Sequence, residues 1–147
     1  MNDVPGLAAL TSISPRFAHH AEALGRAAWN NPHRRVDETA AVFLGCDLSL
    51  GLLDFPLRTH VEMARRLGVP GQVMIDVIVE LAPLVGYPLA AQALTSVAFS
   101  PSADHGASGQ AIDLARRAAV AVRRPGPVPD DALADIVGEY GALVHGE

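Results

Sequence analysis

Aromatic residues and cysteines are scarce in this chain. Aromatic side chains make up 5% of its 147 residues, whereas apolar residues make up 50% and charged residues 18%. Alanine, leucine and valine must therefore build most of the core, and alanine and leucine favour helices intrinsically. The only cysteine is Cys46, which excludes an intramolecular disulfide. A chain of this length can nevertheless bury a core without disulfides or metals.

Three kinds of segment that point to particular partners or compartments are also missing. No run of basic residues is interleaved with aromatics, and the net charge is -5, so we expect no nucleic-acid partner. The N-terminus has no basic region followed by a long apolar run, unlike a signal peptide. No uninterrupted apolar stretch has the length of a membrane span. We therefore expect a cytoplasmic protein without membrane association.

Sequence motifs for cofactors and metals are lacking as well. We find no glycine-rich phosphate loop, no serine nucleophile elbow and no dinucleotide fingerprint. His19 and His20 are consecutive, so they point to different sides of a helix. A metal site usually uses histidines four residues apart or a cluster of carboxylates. We therefore expect neither a cofactor nor a metal.

Helical periodicity dominates the chain and predicts a single all-α domain over residues 1–147. Ser14, followed by proline, is typical of a helix N-cap. Asp37 is predicted to cap a helix that is apolar around most of its circumference, and such a helix is buried at the centre of a fold. Asp54 is predicted to cap the next helix, and Gly68 to end it. Further helices are predicted over residues 70–82, 88–97, 108–122 and 130–144. Residues 1–13 are predicted as a loose arm that packs on the core or on a neighbour.

Several residues in the first two thirds of the chain occur in the order of a known family. They are Trp29, Thr39, the Arg58-Thr59-His60 triplet, the Gly68-Val69 pair, Gly86 and Pro88. Their order and spacing, over residues 14–98, resemble the carboxymuconolactone decarboxylase family, which includes the alkylhydroperoxidase D-like proteins. The resemblance implies an all-α alkylhydroperoxidase D-like fold of about seven helices, assembled as a homo-oligomer, a trimer or hexamer. It also implies a cofactor-free enzyme that decarboxylates or isomerises a small carboxylated or lactone substrate by proton transfer.

The chain departs from this family at its reactive positions. Ala41 stands where the family has a glutamate, and Leu53 and Pro56 stand at the two cysteines of the peroxidase branch. A thiol relay needs two nearby thiols, one of them with a lowered pKa. We therefore do not expect alkylhydroperoxidase activity. A thiol peroxidase would require an exposed Cys46 with a low pKa and a second thiol from another subunit.

His60 is the strongest catalytic candidate, because imidazole gives or takes a proton near neutral pH. The alternative for His60 is a histidine hydrogen-bonded within a helical core. Asp47 and Glu80 lie in apolar helices, where a carboxylate is costly unless it is paired. Either of them can replace the missing glutamate as an acid or base. The alternatives are a salt bridge from Asp47 to an arginine, and an exposed stripe formed by Glu80 with Asp76.

Arg58, Tyr87 and Trp29 are the candidates for substrate binding. Arg58 suits a substrate carboxylate, although it is two residues from His60 and so faces a different side of the helix. Tyr87 is predicted at the pocket mouth or as a packed residue at a helix start, and the resemblance matches Trp29 to a tryptophan of the decarboxylase branch.

The rival to an enzyme is a non-catalytic small-molecule-binding or scaffold protein of the same fold. The surroundings of His60 separate the two hypotheses. A polar partner for His60 in a concave site favours the enzyme, whereas a filled core without a reachable carboxylate favours the scaffold.

Overall fold

A computed structural model describes residues 4–101 and 106–123, and these residues form seven α-helices and no β-strand. The helices are α1 (Leu7–Ile13), α2 (Pro15–Trp29), α3 (Val36–Leu50), α4 (Phe55–Arg66), α5 (Gly71–Val85), α6 (Tyr87–Ser96) and α7 (Gly109–Ala121). The prediction of an all-α fold with about seven helices is confirmed. The predicted helix over residues 130–144 lies outside the described residues.

The central helix is α3, as its apolar circumference predicts. All of its side chains from Thr39 to Ser49 are buried, and the helix contacts α2, α4, α5, α6 and α7. It packs tightly against α7, where a Cβ atom added at Gly45 would collide with the backbone carbonyl of Ala115. Because helices in a close-packed interior leave no spare volume, this crossing requires a residue without a side chain.

Two of the predicted helix-terminal residues are confirmed. The Phe17 backbone N–H donates a hydrogen bond of 3.2 Å to the Ser14 hydroxyl, so Ser14 caps α2. Gly68 follows the end of α4 with a φ of 84°, a left-handed conformation that glycine adopts without steric cost.

Of the two predicted aspartate caps, Asp37 is wrong, and Asp54 holds the N-cap position of α4 without a capping hydrogen bond from its side chain. α3 begins directly after Arg35, whose backbone N–H donates to the Glu38 carboxylate at 3.1 Å in a capping box. Asp37 therefore lies within the first turn of the helix. Asp54 precedes α4 but makes no capping hydrogen bond with its side chain. It pairs instead with Arg58, at 3.5 Å, on the outer surface of α4.

The structure corrects two predicted boundaries. Residues 7–13 form the helix α1 rather than a loose arm, and this helix packs on α2, in agreement with the predicted packing of this segment on the rest of the chain. α5 continues to Val85 and contains Pro83, past the predicted end at residue 82. A proline so close to the end of a helix removes only one of its last backbone hydrogen bonds. Within the described ranges, no helix is both long enough and apolar enough to cross a membrane.

Candidate functional site

A buried carboxylate and a histidine meet where α3 packs against α4. The Nδ1 atom of His60 lies 2.6 Å from Oδ2 of Asp47. The Asp47 side chain is completely buried, and the His60 side chain is 14% exposed. A carboxylate offers only acceptor atoms, so the Nδ1–H of His60 donates this hydrogen bond. The contact stabilises a charge that would otherwise be costly at full burial.

A stack of three rings fixes the plane of the His60 imidazole. The rings of Phe43 and His60 lie 4.1 Å apart between centroids at an interplanar angle of 25°. The rings of Trp29 and Phe43 lie 5.2 Å apart at 20°. Phe43 and Asp47 are four residues apart, so they lie on one face of α3. Two side chains of α3 therefore contact the imidazole of His60, Phe43 on its face and Asp47 at its Nδ1 edge.

His60 opens onto a cavity of about 410 Å³, a size typical of small-molecule sites. The cavity lies between α1, α2, α3 and α4. Most of its wall is hydrocarbon or aromatic. Its lining residues are Val4, Pro5, Leu7, Leu10, Phe17, Ala21, Leu24, Gly25, Ala28, Trp29, Phe43, Leu52, Phe55, Pro56, Thr59, His60 and Met63.

Three of the candidates from the sequence come together at this cavity. His60 and Trp29 line it, and Asp47 lies directly behind His60. Asp47 pairs with a histidine, and His60 borders a cavity rather than a filled core.

The other three candidates lie elsewhere on the molecule. Glu80 forms a surface ion pair of 2.7 Å with Arg116, which joins α5 to α7. Arg58 is exposed on α4 and pairs with Asp54. Tyr87 is 70% exposed at the start of α6. None of the three belongs to the lining of the cavity.

Glu80 also does not share an exposed stripe with Asp76. The carboxylate of Asp76 accepts hydrogen bonds from the Ala107 backbone N–H at 2.9 Å and from the Gln72 amide at 2.7 Å. Asp76 therefore ties the segment before α7 to α5. The two acidic residues of α5 serve separate contacts between helices.

Several contributors to the site were not predicted from sequence. Phe43 stacks on His60, Thr59 precedes it on α4, and the segment from Val4 to Leu10 lines the cavity from α1. The one available signal was the spacing of Phe43, one helical turn before Asp47. The contribution of α1 had no such signal, because seven residues are too short for a clear periodicity.

Cys46 does not meet the requirements of a reactive thiol. Its side chain is completely buried in α3 and is not part of the cavity lining. Burial, and secondly the negative charge of neighbouring Asp47, raise the pKa of the Cys46 thiol far above its ordinary value. A thiolate at this position is strongly disfavoured.

Within residues 4–101 and 106–123, no group of three or more histidine, cysteine, aspartate or glutamate side chains is arranged to hold a metal ion. No protein-family model, no curated protein and no solved structure matches this chain.

Proposed function

We propose that this protein is a cofactor-free enzyme of the carboxymuconolactone decarboxylase type, which transfers a proton on a small carboxylated or lactone substrate. The observation that carries the proposal is the 2.6 Å hydrogen bond between His60 and Asp47 beside an apolar cavity. A polar partner for His60 in a concave site is the feature that separates an enzyme from a scaffold.

The Asp47–His60 contact supports a specific division of roles. A neutral imidazole carries one N–H, and donation from Nδ1 to Asp47 leaves the basic lone pair on Nε2. We assign proton transfer with the substrate to His60 Nε2. Asp47 orients the ring and balances the positive charge that the ring gains when it takes a proton. Asp47 thus takes the place of the glutamate that Ala41 replaces, from a position six residues later on the same helix.

A β,γ-unsaturated lactone illustrates the reaction. His60 Nε2 takes a proton from the carbon beside the carbonyl, and the C–H electron pair passes into a dienolate. The imidazolium then returns a proton to the γ carbon, which gives the conjugated lactone and restores the neutral ring. Protons and electrons balance without an oxidant or a second substrate. Decarboxylation of a lactone acid ends with the same kind of step, in which the imidazolium of His60 gives a proton to a carbon atom.

The composition of the chain and of the cavity wall argues against covalent catalysis. The chain contains no lysine, which removes the lysine Schiff base. Cys46 is buried, and the hydroxyl of Ser49 donates a 2.6 Å hydrogen bond to the Ala119 carbonyl away from the cavity. Thr59 carries the only aliphatic hydroxyl among the described residues that line the cavity.

The second candidate is a non-catalytic small-molecule-binding protein of the same fold. The observation in its favour is the wall of the cavity, which is apolar over nearly all of its extent. Both candidates belong to the proposal of a cytoplasmic homo-oligomer, whose trimeric or hexameric state rests on the family resemblance. Sedimentation equilibrium of the purified protein tests the oligomeric state directly.

The deciding experiment is isomerisation of a β,γ-unsaturated γ-lactone in deuterium oxide, followed by the rise of conjugated-lactone absorbance and by NMR. We expect turnover by the wild type, with deuterium at the γ carbon of the product. His60→Gln should lower kcat by about 10²–10⁴, the usual contribution of a general base. His33→Gln, at an exposed position outside the cavity, is the matched control and should retain activity.

Carboxymuconolactone, followed by loss of its ultraviolet absorbance, is the parallel substrate that separates decarboxylation from isomerisation. Turnover of neither compound by the wild type would contradict the enzyme and leave the binding protein. Equal turnover by the wild type and His60→Gln would remove His60 from the mechanism.

A further inference from the structure

The part of the cavity wall that described residues form holds very few polar groups and no formal charge besides that available to His60. Among the described residues that line it, only Trp29, Thr59 and His60 carry polar side-chain atoms, and none is arginine, aspartate or glutamate. A carboxylate that binds against such a wall, with no cation beside it, loses its hydration and gains no ion-pair partner in return. His60 can balance one negative charge at most, and Asp47 already occupies its Nδ1 edge.

The arginines of α2 and α4 do not belong to the lining of this cavity. Arg16 and His20 line a second, smaller cavity of about 260 Å³, which shares Phe17, Ala21 and Leu24 with the first but lies at the end away from His60. Arg58 pairs with Asp54 on the surface of α4. A substrate with two carboxylates would therefore place at least one of them against hydrocarbon.

The cavity is also long. Its lining residues on α2 extend from Phe17 to Trp29, a distance of about 18 Å along the helix axis. Trp29 stacks on Phe43, and Phe43 stacks on His60, so His60 lies near the C-terminal end of this trough. Phe17 closes the opposite end with an apolar side chain and separates it from Arg16 and His20 of the smaller cavity. A ligand with its polar group at His60 thus has room for a hydrocarbon chain that runs toward Phe17.

We infer that the cavity binds a neutral carbonyl compound with one oxygenated end and an extended hydrocarbon body, such as a γ-alkyl lactone, in preference to a mono- or dicarboxylic acid. The inference rests on the proposed function in one respect, since it assigns the carbonyl end to His60. The preference for a neutral, elongated molecule comes from the wall of the cavity alone.

The single tryptophan of the chain, Trp29, reports binding because it lines the cavity. Its fluorescence is titrated with saturated γ-lactones of increasing alkyl length, γ-valerolactone, γ-octalactone and γ-dodecalactone. Each added methylene that enters the trough should tighten binding about fourfold. Dodecanoate and dodecanedioate, which match the longest lactone in carbon number, should bind more weakly than γ-dodecalactone.

Gly25→Leu tests the position of the hydrocarbon chain. Gly25 lies in the middle of the trough, and a Cβ atom added there meets nothing within 4 Å. A leucine should obstruct the chain of γ-dodecalactone and weaken its binding by tenfold or more, while γ-valerolactone binds almost as before. Ala27→Leu adds a leucine to the exposed side of the same helix and should leave both affinities unchanged.

The outcomes separate this inference from the proposed function. Binding that tightens with chain length, without isomerisation of any unsaturated lactone, would contradict the enzyme and support the ligand class. Tighter binding of dodecanoate or dodecanedioate than of γ-dodecalactone would overturn the ligand class, whatever the activity. Affinities independent of chain length, or unaffected by Gly25→Leu, would overturn it as well.

Discussion

At the scale of single residues, the site depends on the spacing of two side chains along α3. Phe43 covers one face of the His60 ring, and Asp47, one turn later, accepts the hydrogen bond from Nδ1. The plane of the His60 ring and its tautomer are thus both determined before a ligand binds. Such preorganisation is what a general base requires, because no free energy is then used to orient it during the reaction.

Asp47→Asn tests the charge behind the ring at almost constant shape. An amide cannot balance the imidazolium that forms during proton transfer, so we expect kcat to fall by about 10²–10⁴ while KM changes little. Steady-state kinetics with the unsaturated lactone measures kcat and KM separately. Asp113→Asn, at a surface ion pair with Arg117, is the control for removal of a carboxylate. A rise in KM with an unchanged kcat would contradict the assigned role of Asp47.

The buried thiol of Cys46 predicts a dependence of stability on alkaline pH. Its pKa is raised above the ordinary value of 9.0 in the folded protein, so the unfolded chain loses the proton first. The stabilising contribution is fully present below that ordinary value and is lost as pH rises above it. Urea denaturation between pH 8 and pH 11 should show a steeper loss of stability for the wild type than for Cys46→Ala. Identical pH slopes would contradict the prediction.

At the scale of helices, two glycines in α2 and α3 have opposite surroundings. Gly45 in α3 faces the Ala115 carbonyl of α7, whereas Gly25 in α2 faces the open cavity. Glycine weakens the interior of either helix intrinsically. Only at Gly45 does close packing compensate for that cost.

Alanine substitution at these two glycines should therefore have opposite effects. Gly25→Ala should stabilise the protein by about 1 kcal/mol through helix propensity. Gly45→Ala should destabilise it by about 1–3 kcal/mol, because α3 and α7 must separate. Chemical denaturation of the two variants beside the wild type gives both values. Stabilisation by Gly45→Ala would show that this crossing is less tight than the structure indicates.

The short helix α1 covers one side of the cavity. Val4, Pro5, Leu7 and Leu10 contribute to the lining, yet no residue of α1 is fully buried. Elements with so few buried contacts add little to global stability. The effect of α1 should therefore appear in ligand binding more than in folding.

Removal of residues 1–13 should expose the cavity to water while α2–α7 stay folded. We expect a shift of Trp29 fluorescence to longer wavelength and at least tenfold weaker binding of γ-dodecalactone. Circular dichroism verifies that the remaining helices persist. Unchanged fluorescence and affinity would mean that α1 does not cover the site in solution.

At the scale of the whole molecule, the cavity interrupts an otherwise continuous core. α3 is buried along its length, and α5 and α7 pack against it, but the side toward α1 and α2 retains about 410 Å³ of space. Unfilled apolar volume forfeits dispersion contacts. A ligand that fills it should therefore stabilise the entire fold.

A hundredfold excess of γ-dodecalactone over its Kd should raise the Tm by about 5–10 °C for a domain of this size. Differential scanning calorimetry measures the shift. His60→Gln should retain most of it, because the hydrocarbon body supplies most of the contacts. Gly25→Leu should lose most of it. The same shift in Gly25→Leu would indicate that the lactone binds elsewhere.

The sequence by itself determined the helical class, the buried central helix and a short set of polar candidates. Helical periodicity and local capping depend on neighbours within one or two turns, so they can be read along the chain. Ser14, Gly68 and the burial of α3 were accessible in this way. His60, as the strongest candidate, and Asp47 were proposed separately, and Glu80 stood beside Asp47 as an equal candidate.

Only the tertiary structure decided which of these polar residues meet. Asp47 and His60 lie in different helices, and their contact depends on how α4 rotates and packs against α3. Glu80 is directed to Arg116 because Val77, Ile78 and Leu81 occupy the buried face of α5. The cavity likewise needs α1, α2 and α4 together. Side-chain contacts between helices follow from packing over the whole core, which no local pattern of residues specifies.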